Sequence, residues 1–276
     1  METIRRDLEK VILGQEIVGV SVFLPGMVEG DLNNLVGDFF ASINRRGKLL
    51  LLKPASSPHT LLLHLKMTGQ LVCQIDGGMI AGGHPQAKID DLPNQYTRLI
   101  FEFANGAKLF FNDVRSFGYA KLVDGKQVEA TLAKFGIEPL TSDFTFEDFL
   151  NVLQRRKAPL KTILLNQQLI AGLGNIYVDE VCHQAGVLPT RAVQTLNPEE
   201  KRQIFEAIQE IIRLAVDKRG TTFSNYVDAT GKKGGFFKYL QVYKRDGKKC
   251  NKCKSATIEK IRLAGRGTHF CPVCQN

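Results

Sequence analysis

Apolar positions along the chain change their period near residue 124. Before that point they fall in short runs separated by Gly, Pro, Asn and Asp, which predicts strands over 48–53, 60–67, 70–75, 98–103, 108–111 and 118–123. In 98–103, Leu99, Phe101 and Phe103 alternate with Ile100 and Glu102, the pattern of a strand with one well-buried face. Asn105-Gly106 between two such runs predicts a hairpin. The first residues read differently. Ile4, Leu8, Val11 and Ile12 recur at helical spacing, with Thr3 as the candidate cap, so a helix should open the chain and pack against a β-sandwich or barrel.

Beyond residue 124 the period is helical. Phe146, Phe149, Leu150 and Leu153 share a face behind a Thr145–Asp148 capping box. Over 197–220, Asn197 caps, Pro198 takes the first helical position, Glu200 reaches back and Gly220 stops the helix; its stripe is Ile204, Ile208, Ile211, Ile212 and Ala215. A glycine-rich stretch, 230–240, follows.

Composition narrows the class. With 276 residues, 43% hydrophobic and 24% charged, the chain reads as a globular protein large enough for several cores. No apolar run approaches the roughly 18 residues of a membrane span, and the N-terminus lacks signal-peptide order, so a cytoplasmic protein without membrane contact is expected. The net charge of +9 makes a polyanion a plausible partner; a merely basic, well-solvated surface is the alternative. The excess concentrates at the end, where nine Lys or Arg from Lys244 to Arg266 face only Asp246 and Glu259. That density suits phosphate neutralisation.

Candidate chemistry sits in the same region. Cys250, Cys253, Cys271 and Cys274 form C-x2-C, seventeen residues, C-x2-C. Four thiolates around one zinc ion make a closed structural site; two disulfides or a redox pair are the alternatives. Cys73 and Cys182 read as buried thiols. Arg266 lies between Gly265 and Gly267 at the tip of the intervening hairpin, placed for a phosphate or simply solvated. Gly172-Leu173-Gly174-Asn175 predicts a compact turn whose following helix presents free N–H groups. Asn175 there is either an anion donor or an ordinary cap. Arg155, Arg156, Lys157 and Lys161 precede it as a candidate phosphate clamp.

Taken as a set, "ETIRRDL" at the start, "RRGK" at 45–48, "HLKMTG" at 64–69, "NDVRSFG" at 112–118, "GLGNIYVDE" at 172–180, "QVYKRDG" at 241–247 and the cysteine module with "AGRGTHFCP" resemble the formamidopyrimidine-DNA glycosylase and endonuclease VIII family. The resemblance covers essentially the whole chain. It implies an α+β, multidomain fold: a β-sandwich with a packed helix over 1–124, a helix-two-turn-helix DNA-binding domain with a lesion loop over 125–240, and a four-cysteine zinc-finger hairpin over 241–276. It further implies a base-excision repair glycosylase and abasic-site lyase that binds damaged double-stranded DNA between the two halves and flips oxidised purines such as 8-oxoguanine or formamidopyrimidines out of the stack. One structural zinc, a monomer, and a bacterial cytoplasmic location on the nucleoid go with it.

By match, Met67, Arg115 and Phe117 would fill the gap in the duplex, although core packing is the plainer reading of Met67 and Phe117. Lys157, Asn175 and Arg266 match phosphate-gripping residues. Arg266 is also linked to the second elimination, and Lys48 to proton donation in β-elimination. Tyr96 stands where the family commonly has a DNA-contacting His. The stretch 221–240 resembles the loop that closes over a flipped purine, favouring the formamidopyrimidine branch over an endonuclease VIII-like pyrimidine glycosylase.

In the family the nucleophile is an N-terminal proline amine followed by a catalytic glutamate, ahead of "VETIRR". The present sequence begins at the position of that valine, and Glu2 aligns with the helical "ETIRR", not with the catalytic acid. The expectation is a start several residues upstream that restores the Pro-Glu pair. The competing expectation is a lesion- or abasic-DNA-binding zinc protein without chemistry.

Overall fold

The computed structural model describes residues 1–75, 78–83, 91–220 and 235–276. The chain divides into two compact units, Met1–Ala133 with Arg219–Phe237, and Lys134–Lys218 with Lys238–Asn276.

In the first unit, helix α1 (Glu2–Ile12) is followed by β1 (Ile17–Val22), β2 (Val28–Glu29), β3 (Phe40–Arg46), β4 (Leu49–Pro54), β5 (Thr60–His64), β6 (Gly69–Ile75), β7 (Gly78–Gly83), β8 (Thr97–Phe103), β9 (Lys108–Asp113), β10 (Tyr119–Val123) and helix α2 (Gly125–Leu132). The strands form two five-stranded sheets, β1-β8-β9-β6-β7 and β2-β10-β5-β4-β3. Alternation places Leu99, Phe101 and Phe103 of β8 in one core with Leu50 and Leu52 of β4 and Leu61 and Leu63 of β5. Phe40 crosses this core to meet Phe101 edge-on at 6.1 Å and Phe103 at 6.4 Å. Ile100 is buried as well, in a second small cluster with Val72 and Phe110. Strands β8 and β9 pair antiparallel across the expected Asn-Gly turn; Gly106 has φ +81°, and the Asn105 amide donates to the Val11 carbonyl.

Helix α1 buries Leu8 and Ile12 and half-buries Ile4 and Val11. It packs so closely on β7 that a β-carbon at Gly82 would lie 2.2 Å from Ile4 Cγ1. Thr3 is not its cap: Glu2 already opens the helix, and no side chain caps it. Glu2 instead accepts from Arg5 and Arg6 on the helix and from Arg45 Nε of β3 at 2.7 Å, tying helix to sheet. Asp7 pairs with Arg219 at 2.7 Å.

The second unit carries α3 (Phe146–Leu153), α4 (Leu160–Leu165), α5 (Asn175–Gln184), α6 (Pro198–Asp217) and the hairpin β11 (Glu259–Leu263) with β12 (Arg266–Phe270). The capping boxes of α3 and α6 form as the sequence predicts. Helix α6 buries Ile204, Ala207, Ile208, Ile211 and Ala215, whereas Ile212 is only half-buried. The chain turns left-handed already at Arg219, φ +60°, one residue before Gly220. No described helix is long and apolar enough to cross a membrane. The stretch read as a lesion loop falls largely outside the described residues, at 221–234.

The Arg5 hydrogen bond, assisted by Arg6 and Arg45 and opposed by burial, holds the Glu2 carboxyl down to about 2 from an ordinary 4.5. A depressed carboxyl stabilises the fold fully above its unfolded value and loses that contribution as pH falls through its folded value. Glu2→Gln is therefore expected to cost roughly 2 kcal/mol at pH 7. In urea titrations the gap from wild type should close between about pH 4.5 and 2. A gap that stays constant down to pH 2 would rule out the charge as its cause.

Candidate nucleic-acid interface and metal centre

Strand register gathers several of the sequence-identified residues at one end of the sandwich. Leu49 of β4 lies opposite His64 of β5, His64 opposite Tyr119 of β10, and Gly69 of β6 opposite Asp113 of β9. The Gly47-Lys48 turn, the 65–68 loop and the 114–118 loop therefore emerge together. Lys48 is half-buried in its turn. Burial, then the charges of Lys66 and Lys48, keep His64 down to about 4, a neutral ring whose Nδ1 accepts from the Lys66 amide at 2.9 Å.

Met67 and Phe117 are not core residues. They are 41% and 54% exposed at their loop tips, and the Arg115 guanidinium lies 4.5 Å from the Phe117 ring centroid. Both apolar side chains are thus available to be buried against another surface. What holds the loops is Asp113, a residue the sequence reading passed over. Fully buried, it accepts from the Thr68 hydroxyl, from the Arg115 amide at 3.1 Å and from the Gly118 amide at 2.8 Å. A β-carbon at Gly118 would lie 2.6 Å from Phe111 Cζ, so this turn requires glycine. Tyr96 joins the same end: its carbonyl accepts the Asp113 N–H at 2.9 Å.

In the second unit, Asn175 is the first residue of α5 and not its cap; Gly174 occupies that position. The Asn175 amide donates across to the Gly267 carbonyl at 3.0 Å, beside Arg266 on the hairpin. Lys161 is no surface clamp. It is 1% exposed, with Nζ 2.6 Å from Asp179 Oδ1 and 3.0 Å from the same Gly267 carbonyl. Burial first, and more weakly Arg266, push its pKa down while Asp179 pushes it up. Asp179 completes its coordination with the His269 amide at 3.0 Å and His269 Nδ1 at 3.1 Å.

Its neighbour Glu180 accepts the amides of Gln241, Val242 and Tyr243 at 2.7, 3.0 and 2.8 Å. Burial raises the Glu180 pKa against these three donors. Arg266 itself is exposed, after a tip in which Ala264 and Gly265 have φ +49° and +75°. Lys157 is exposed beside a concavity of about 420 Å³ that Arg155, Arg156 and Lys201 also line.

The four cysteines converge. Their sulfurs all lie within 4.8 Å of one another, with Cys250–Cys274 and Cys253–Cys271 both at 3.8 Å. A tetrahedron of sulfurs about 2.3 Å from zinc has edges of roughly 3.8 Å, so the donor set fits the ion and leaves no open position. Among the described residues, the buried cluster here is Val242, Ile258, Cys250 and Cys271, with Cys253, Ala256 and Cys274 packed against it, too little to hold a finger without metal.

Three family models match in chain order. Residues 1–120 match the formamidopyrimidine-DNA glycosylase N-terminal domain, residues 135–226 the formamidopyrimidine-DNA glycosylase H2TH domain, and residues 247–276 the zinc finger found in FPG and IleRS. The formamidopyrimidine-DNA glycosylase of Pelotomaculum thermopropionicum is 37% identical over 282 residues, covering 100% of this chain and 97% of the relative. That of Streptococcus mutans is 39% identical over 281 residues, with the same coverage. Among solved structures, the Lactococcus lactis Fpg bound to an abasic-site DNA aligns with TM-score 0.86 at 35% identity, over 100% of this chain and 97% of that one. The complex of Lactococcus lactis FPG (MutM) with a FAPY-dG-containing DNA gives 0.85 at 36%, over 100% and 98%. The C-terminal module is thus the family's structural zinc finger, and the chain holds one zinc ion.

Two outcomes follow from this geometry. Asp113→Ala strands buried amides and is expected to cost about 3 kcal/mol. Hydrogen exchange should rise at 65–68 and 114–118 while β6 and β9 stay protected; unchanged exchange in both loops would refute the role given to Asp113. Cys271→Ser should abolish the single equivalent of zinc measured by atomic emission and deprotect the 266–270 hairpin. Full zinc occupancy in that variant would refute the four-thiolate site.

Proposed function

The chain belongs to the formamidopyrimidine-DNA glycosylase family, and from that premise we propose that it excises oxidised or ring-opened purines from duplex DNA and cleaves the strand at the abasic site. The observation that carries the reading is the exposed Met67, Arg115 and Phe117 set, presented on two loops that one buried carboxylate ties together. A flipped nucleotide leaves a hole in the stack, and a thioether, a guanidinium and a phenyl ring are suited to fill it.

The remaining residues take roles their placement supports. Lys48, half-buried at the same end of the sandwich, donates the proton in β-elimination. Tyr96 offers a phenol to the backbone, a neutral contact where relatives commonly have His. Asn175, whose amide also holds the Gly267 carbonyl, and Arg266 next to that glycine grip phosphates, as does the exposed Lys157. Arg266 also assists the second elimination. The covalent step expected of the family is attack of an amine on the sugar C1′. The base departs with the bonding pair and takes a proton, the amine nitrogen loses its proton, and the nitrogen lone pair then opens the C1′–O4′ bond, O4′ taking a proton, to leave an iminium (Schiff base) that borohydride reduces to a stable adduct. The protein works as a monomer on nucleoid DNA in the bacterial cytoplasm.

The test is borohydride trapping on an 8-oxoguanine duplex, using the chain as given and a form carrying Met1→Val with Pro-Glu-Leu-Pro-Glu ahead of it. Trapping by the proline-bearing form alone is the family route. Trapping by both assigns an amine of the given chain, and Lys48→Arg then separates Lys48 from the residue 1 amine. Lesion binding without trapping in either form would overturn the excision reading in favour of a DNA-binding protein. Arg115→Ala should weaken binding to an abasic-analogue duplex at least tenfold in fluorescence anisotropy, while leaving zinc content unchanged.

A further inference from the structure

Helix α5 meets the zinc-finger module along one face. Asn175, Asp179 and His183 are spaced at i, i+4 and i+8, so they form a single polar stripe. The first reaches the Gly267 carbonyl, the second His269, and the third the metal centre. His183 Nε2 lies 3.7 Å from Cys250 Sγ, with His183 3% and Cys250 1% exposed. Water does not compete there, so a donor at that distance acts on the sulfur in a low-dielectric setting. Backbone amides supply other donors to the sulfurs, Lys252 N to Cys250 Sγ and Cys274 N to Cys271 Sγ, both at 3.4 Å. Cys250 thus has two nitrogens within hydrogen-bonding distance, the Lys252 amide and His183 Nε2, the latter from a helix outside the finger.

Four thiolates on one divalent ion carry a net charge of −2, spread over sulfurs that remain nucleophilic. A donated N–H withdraws charge from one of them, and such outer partners tune both metal affinity and ligand reactivity. We propose that His183 is a positioning residue of the metal centre, donating Nε2–H to the Cys250 thiolate and thereby guarding the zinc against electrophiles. Nothing in the zinc motif itself encodes this donor; the helix supplies it from 67 positions earlier in the chain.

The test follows zinc release to a chromogenic chelator while the zinc-loaded full chain is treated with N-ethylmaleimide. The attacking thiolate forms an S–C bond, the alkene π pair moves to the adjacent carbon, and that carbon takes a proton from water. His183→Phe should release zinc about tenfold faster than wild type. His183→Gln, which keeps an N–H donor, should stay near the wild-type rate. Equal rates in His183→Phe and wild type would overturn the proposal, as would equally fast release by both variants, which would make the effect one of packing. Should His183→Phe fail to fold, nitrogen NMR of the wild-type chain decides instead. A slowly exchanging proton on Nε2 of His183 supports the bond, and a proton on Nδ1 alone overturns it. These readouts use no DNA, so they stand or fall apart from the excision reading.

Discussion

Two charges without water, Lys161 and Asp179, carry the arrangement of the second unit. Removing an ammonium and a carboxylate from solvent costs several kcal/mol each, and their mutual attraction offsets this only when the remaining donors and acceptors are also used. Here they are used. Asp179 gives one oxygen to Lys161 and the other to the amide and ring of His269, while Lys161 spends a second proton on the Gly267 carbonyl. The pair therefore fastens α4, α5 and the β12 strand at a single point. Because Asn175 donates to the same carbonyl, the peptide next to Arg266 cannot shift without breaking two hydrogen bonds. An exposed arginine on a hairpin is entropically expensive to immobilise, and fixing its backbone beforehand lowers that cost.

The sandwich solves the same problem with Asp113. A carboxylate is an acceptor with room for about four donors, so one buried side chain can hold two loops at once. Thr68 belongs to the loop bearing Met67, and the amides of Arg115 and Gly118 belong to the loop bearing Phe117. Glu180 repeats the device on three successive amides of the 241–243 segment. In each case the residue that orders the segment is hidden, and around Asp113 the residues that face outward are Met67, Arg115 and Phe117. This division is physically sensible: a carboxylate at the surface would repel a polyanion, whereas buried and saturated with N–H donors its charge is largely spent within the protein.

It also explains how far the sequence could be read. Signals that act within a few residues were legible: the Asn197–Glu200 and Thr145–Asp148 boxes, the Asn105-Gly106 turn and the paired cysteines all stand where the pattern puts them. The strands it missed carry weak patterns. β1 is a half-exposed sheet edge, β3 ends in Asn-Arg-Arg, and β7 is half glycine. Side chains whose partners lie far along the chain were misread or passed over. Lys161 looks like its basic neighbours, and only a carboxylate 18 positions later turns it inward. Asn175 has the identity of a cap, but its amide is claimed by a carbonyl 92 positions away. Asp113 sits in a motif whose notable members are its exposed neighbours.

The zinc belongs to the same logic. With Val242 and Ile258 as its main apolar contribution, the finger has too small a core to fix a hairpin, and the metal substitutes for that missing burial. Metal alone would leave the hairpin free to pivot about its base. The pivot is removed because α5 meets the module at Gly267, His269 and Cys250, contacts spread along about two turns of a rigid rod. A helix that touches both the metal centre and the carbonyl beside Arg266 makes the arginine's placement depend on the cysteines. The zinc is structural in its coordination, yet what it structures is the presentation of one cationic side chain.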